Sequence, residues 1–206
     1  MLSGLPDPSN LADALSSSSS SGPRAVDDPM REVLRRLEAL EGKVAKSGTE
    51  DRLSMVVFSG SLDKILAAFV LASAAAASGM QVEMFFTFWG LASLRDRMKS
   101  PKKDFLGRMF GWMLPRGVRK LPLSQMNMGG AGPVMIRHIM KKKGFASVEE
   151  MLQVCAEFGV RIYACDMSRE VMGIKPEELI EYPHLDYCGA ATFLEKASGG
   201  RVSLFI

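Results

Sequence analysis

The sequence is poor in the residues that carry most metal and cofactor chemistry. It has 3 cysteines and 2 histidines in 206 residues. Cys155, Cys165 and Cys188 match no zinc-ligand spacing, and an odd number argues against a disulfide framework. His138 in "IRHIMKKK" and His184 in "YPHLD" stand alone, so neither receives a metal or triad role. No metal and no cofactor is therefore expected. Glycine-rich phosphate fingerprints are missing too. So is an excess of one charge: 26 basic against 23 acidic residues give a net +3, too mild to call for nucleic acid or a membrane surface. With no disulfide pattern, a reduced cytoplasm is the default compartment.

Long apolar runs are scarce. The most membrane-like stretch, Ile65–Met80, is short of a full span and rich in Ala and Ser. It reads as a helix buried on most sides. The opening "MLSGLPDPSN" has neither a basic start nor an apolar block, so no signal peptide is expected.

What is present has a clear order. Residues 1–28, with "SSSSSS" and several prolines, cannot offset the entropy of ordering and read as a disordered tail. Pro29–Ala45 reads as one helix, with Val33, Leu37, Leu40 and Val44 at spacings of four and three. That helix and its linker, 29–50, should dock on the domain or on another copy. The compact domain spans 51–206. Within it "LSMVVF" suits a central strand, the turn "SGSLDK" leads into a helix over 62–78, and "QVEMFFTFW" reads as a second strand. Residues 90–144 form an irregular insertion. It is basic over 95–120 and then rich in Met and Gly, with Met126, Met128, Met135 and Met140 suggesting an adaptable apolar lid. Regular order resumes with a helix at Ser147 (capping box Ser147/Glu150), the strand "VRIYAC", a short helix, the strand "LDYC", a helix and the strand "RVSLFI". The sum is an open, mostly parallel α/β sheet with helices on both faces.

The cysteines differ in setting. Cys155 lies on the apolar stripe of its helix with Val148, Met151 and Leu152, as a small hydrophobe would. Cys165 ends a strand just before a helix, where ligands bind in open parallel sheets and where helix N–H groups favour a thiolate. Arg169 and the basic segment could add positive potential. A thiol that only packs beneath the turn is the alternative on position alone. Cys188 repeats the layout at the end of "LDYC". It faces Cys165 only if the two strands are neighbours. The turn "SGSLDK" could hold an anion, or simply be a capped helix start.

Three segments in order carry a resemblance: "FSGSLDKILAAFVLASAAAASGMQVEMFFTFWGL", "MNMGGAGPVMIRHIMKKKGFASVEEML" and "GVRIYACDMSREVMGI". Together they resemble the DsrE/DsrF-like family, in its longer subgroup labelled peroxiredoxin-like. The resemblance implies a flavodoxin-like α/β/α fold and a cytoplasmic sulfur carrier or sulfurtransferase. Sulfane sulfur would be held as a persulfide on Cys165, which matches the family cysteine after the third strand. It also implies exchange with small carriers of the TusA type or with rhodaneses, and a homo-oligomer. Cys188 matches no family position and stays auxiliary, as does Arg169. Two other readings remain: a flavin or nucleotide binder using "SGSLDK", and a non-catalytic assembly module using the Met-rich segment and the 29–45 helix.

Overall fold

The computed structural model describes residues 27–46, 50–99, 101, 109, 111 and 113–206. The expected tail lies outside these residues up to position 26. The chain forms two units, 1–48 and 49–206. In the first, helix α1 spans Asp27–Lys46. Glu32 sits within ion-pair distance of Arg35 and Arg36, at 2.7 and 2.9 Å, one turn along the helix surface.

The second unit is built from five parallel strands in the order β4-β3-β2-β1-β5. They are β1 (Glu50–Val57), β2 (Gln81–Phe86), β3 (Arg161–Cys165), β4 (Leu185–Cys188) and β5 (Gly200–Phe205). The helices are α2 (Leu62–Ala77), the single turn α3 (Phe88–Leu91), α4 (Ala131–Lys142), α5 (Val148–Glu157), α6 (Asp166–Val171) and α7 (Ala190–Ala197). Strands β1 to β4 step across the sheet in sequence, whereas β5 returns to the far edge beside β1. Right-handed crossovers then place α2 and α5 on one face and α7 on the other. This is a flavodoxin-like α/β/α fold whose return strand comes last.

Alternation in the strands divides the core accordingly. Leu53, Met55, Val57, Val82, Met84, Phe86, Ile162 and Ala164 pack with Leu62, Ile65 and Phe69 of α2 and with Val148 and Cys155 of α5. On the other face Phe85, Tyr163, Cys165 and Cys188 pack around Phe193 of α7. Phe205, in register with Val56 on that face, remains exposed.

Several sequence expectations need correction. The second strand ends at Phe86: Phe88 takes a positive φ of 44°, and Gly90 donates to the Phe58 carbonyl, turning 87–91 across the end of β1. The 62–78 helix buries one stripe rather than most sides, and Val70 and Leu71 are exposed because its outer surface needs no cover. The irregular insertion contains α4, whose Pro133 is tolerated in the first turn. Met126 and Met128, in the turn before α4, are exposed at positive φ. The Ser147 cap forms as read: Glu150 N donates to Ser147 Oγ at 3.2 Å and Ser147 N to Glu150 Oε2 at 2.6 Å. Among the described residues no helix is long and apolar enough to cross a membrane.

Candidate functional site

Strands β3 and β4 are neighbours, and their register pairs Cys165 with Cys188. Both side chains therefore point to the α7 face, from the carboxyl ends of adjacent strands. Strand spacing is about 4.8 Å, inside the Cα window of roughly 4.4–6.8 Å that permits a disulfide. Both thiols are free. They are also covered: Cys165 is 2% exposed and Cys188 8%, beneath Phe193, which stacks on Phe85 at 4.8 Å. Neither sulfur therefore presents much surface to a reagent in this arrangement.

Cys165 is the N-cap residue of α6, as its place before a helix requires. The backbone N–H groups of α6 do not cap through the sulfur. Its donor is the Ser168 hydroxyl, 3.3 Å from Sγ. Ser168 is fully buried, and its Oγ lies 2.8 Å from Thr87 Oγ1, at the end of β2. When Ser168 donates to the sulfur, Thr87 can donate to Ser168, so a buried hydroxyl chain ends on Cys165. Neither Thr87 nor Ser168 was read as a site residue. The local signal was the Ser three positions after an N-cap Cys; nothing local pointed to Thr87. Ser168→Ala should slow alkylation of Cys165 at fixed pH by about tenfold, the worth of one hydrogen bond to a charged group. Thr87→Val should slow it less. Rates read by peptide mass spectrometry check this, and an unchanged rate in Ser168→Ala would sink the role of the chain.

Arg169 Nη2 lies 3.4 Å from Asp166 Oδ1 and 3.7 Å from Glu170 Oε1, and its guanidinium sits over the Tyr187 ring at 5.8 Å. Tyr187 is in register with Ala164, so it lies on the side of β4 opposite Cys188. On the thiol side Lys196 of α7 places its Nζ 5.6 Å from the Tyr163 ring centroid. Burial pushes the Cys188 thiol up, with the Cys165, Asp166 and Asp186 charges adding to the shift and Lys196 opposing it. Cys155, on the other face, is pushed up to about 11 by burial alone.

Elsewhere the sequence candidates serve structure. Arg95 is buried with Glu178, their charges 2.9 Å apart, and Lys99 and Arg119 pair with Glu181 and Glu149. Much of the basic segment (102–108, 110 and 112) lies outside the described residues. In the "SGSLDK" turn the Ser59 and Ser61 hydroxyls bond each other at 3.0 Å. A Cβ on Gly60 would come within 2.5 Å of the Trp89 carbonyl oxygen. Desolvation works against the Asp63 carboxylate, but the bonds from Ser124 outweigh it and hold Asp63 below the usual carboxylate range, with its negative charge in this turn. The turn has the chemistry of a packed helix start. A cavity of about 970 Å³ lies on the α2–α5 side, lined in part by Leu62, Val118, Arg137, Met140 and Phe145, away from the thiol face.

Two register-paired thiols thus stand at the carboxyl edge of a parallel α/β sheet, where ligands bind in such folds. The chain belongs to the DsrE/DsrF/DrsH-like family, whose model matches residues 49–205. It is 42% identical to the uncharacterized protein YrkE of Bacillus subtilis over 156 residues, which is 75% of this chain and 96% of that protein. It is 36% identical to the sulfur carrier protein DsrE2 of Allochromatium vinosum over 163 residues, 76% of this chain and 99% of that protein.

Proposed function

We propose that the protein is a cytoplasmic sulfur carrier or sulfurtransferase that holds sulfane sulfur on Cys165. Family membership and the likeness to a sulfur carrier support sulfur transfer at the family level. The observation that carries the residue assignment is the hydrogen bond from Ser168 to Cys165 Sγ, beside a Cys188 thiol that burial pushes up. With thiosulfate as donor, the Cys165 thiolate attacks the outer sulfur. The S–S bond breaks, sulfite leaves with its electron pair, and a Cys165 persulfide anion remains. An acceptor thiolate then attacks the terminal sulfur, and Cys165 leaves as thiolate. The acceptor fits a thiol of a small TusA-type carrier or a rhodanese, reached when the α7 face opens against the partner. Cys188 stands beside the persulfide as an auxiliary thiol able to exchange with it. Arg169 has no direct part in this scheme.

The test is intact-mass spectrometry after exposure to sulfane sulfur donors, combined with site-resolved alkylation between pH 6 and 9. Cys165 should react well before Cys155, whose thiol stays protonated until pH nears 11. Equal or slower reaction at Cys165, or no added sulfur with any donor, would move the reading to a non-catalytic assembly module.

A further inference from the structure

We propose that α1 is a pairing element that packs in parallel against α1 of a second copy of this chain. The inference stands apart from the sulfur chemistry, because α1 precedes the residues 49–205 that define the family. A 20-residue helix with this composition has one feature that asks for a partner. Met30, Val33, Leu34, Leu37 and Leu40 are each about half exposed or more. Met30, Val33, Leu37 and Leu40 follow spacings of three, four and three, and the sequence continues the series at Val44. That is the a/d seam of a two-stranded coiled coil, with Leu34 widening it on one flank.

Charge chooses the orientation. In this register Arg36 falls at g and Glu41 at e, on opposite flanks of the seam. A parallel partner brings Arg36 of one helix beside Glu41 of the other, five residues on, and does so on both sides. An antiparallel partner sets the flank bearing Arg36 and Lys43 against its own copy, cation to cation. In the single helix Arg36 is held by Glu32 at 2.9 Å, a contact that is compatible with reaching across the seam. Exposed pairs of this kind add little stability, so they set direction while the apolar seam supplies the attraction. Two heptads make a short seam, so the pairing should depend on protein concentration.

The experiment uses the full chain carrying Met30→Cys under mild oxidation, with cross-linked peptides mapped by mass spectrometry. In a parallel pair the introduced thiols lie side by side. Most of the chain should therefore appear as a dimer linked through position 30, increasingly so at higher concentration. Adding Leu37→Glu should cut this dimer at least about tenfold, since a charge enters the seam. Arg36→Glu should weaken it, and Arg36→Glu with Glu41→Arg should restore it. Absence of the position-30 link, or a link that Leu37→Glu leaves intact, would overturn the proposal. A charge swap that fails to restore would overturn the parallel register. The native thiols are buried, and mapping separates any link through them.

Discussion

Cys165→Ser should lose the added sulfur that the wild-type chain acquires from thiosulfate or a small persulfide, while Cys188→Ser should keep it. Both thiols face α7 from adjacent strand ends, so position alone does not separate them. Their surroundings do. Cys165 accepts the Ser168 hydroxyl, whereas burial and nearby negative charge push the Cys188 thiol up. The attacking species in sulfur exchange is the thiolate, so the adduct should start on Cys165. In Cys188→Ser it should persist, with a longer lifetime if Cys188 normally attacks it. Such an attack would release sulfide and leave a Cys165–Cys188 disulfide, which strand spacing allows. Intact mass and peptide mapping read each species. An adduct that survives Cys165→Ser and vanishes in Cys188→Ser would invert the assignment.

Arg95→Met should destabilise the domain by about 3–5 kcal/mol, the usual loss when one partner of a buried ion pair is removed. For a domain of this size that lowers the thermal midpoint by roughly 6–20 °C. Arg95 and Glu178 are each 2% exposed in their side chains. Arg95 also donates to the carbonyls of Gly111 at 3.4 Å and Leu114 at 3.3 Å. Beside the pair, Asp96 N donates to Glu178 O at 2.7 Å and Ile180 N to Leu94 O at 2.9 Å. The guanidinium thus ties the long insertion to the connection between β3 and β4. Methionine keeps the length and apolar stem but leaves the Glu178 carboxylate in the interior without the guanidinium. Arg95→Met with Glu178→Leu removes both charges and should recover much of the loss. A double variant no more stable than Arg95→Met would show that the carbonyl contacts, not the ion pair, hold this junction. Calorimetric or circular-dichroism melting of the three proteins decides the matter.

The local readings that succeeded rest on short-range physics. The strand endings at Cys165 and Cys188 and the Ser147 cap depend on residues a few positions apart, and the sequence by itself determined them. Cys155 on its apolar stripe was legible for the same reason. The irregular look of 90–144 hid α4, because "MNMGGAGPV" carries turn residues that dominate local propensity until packing overrides them.

Tertiary structure alone decided the composition of the site. That Cys165 meets Cys188 depends on β3 and β4 being neighbours in one particular register; a slip of one residue would send one sulfur to the opposite face. Thr87 reaches Ser168 across 81 residues, and Arg95 reaches Glu178 across 83. Arg169, one turn from Cys165 in sequence, ends over Tyr187, while Lys196 enters from α7. The sequence determined which strand ends carry thiols. Which donors, cations and covers surround those thiols was decided by crossover direction and strand register, because both arise from packing between segments far apart in the chain.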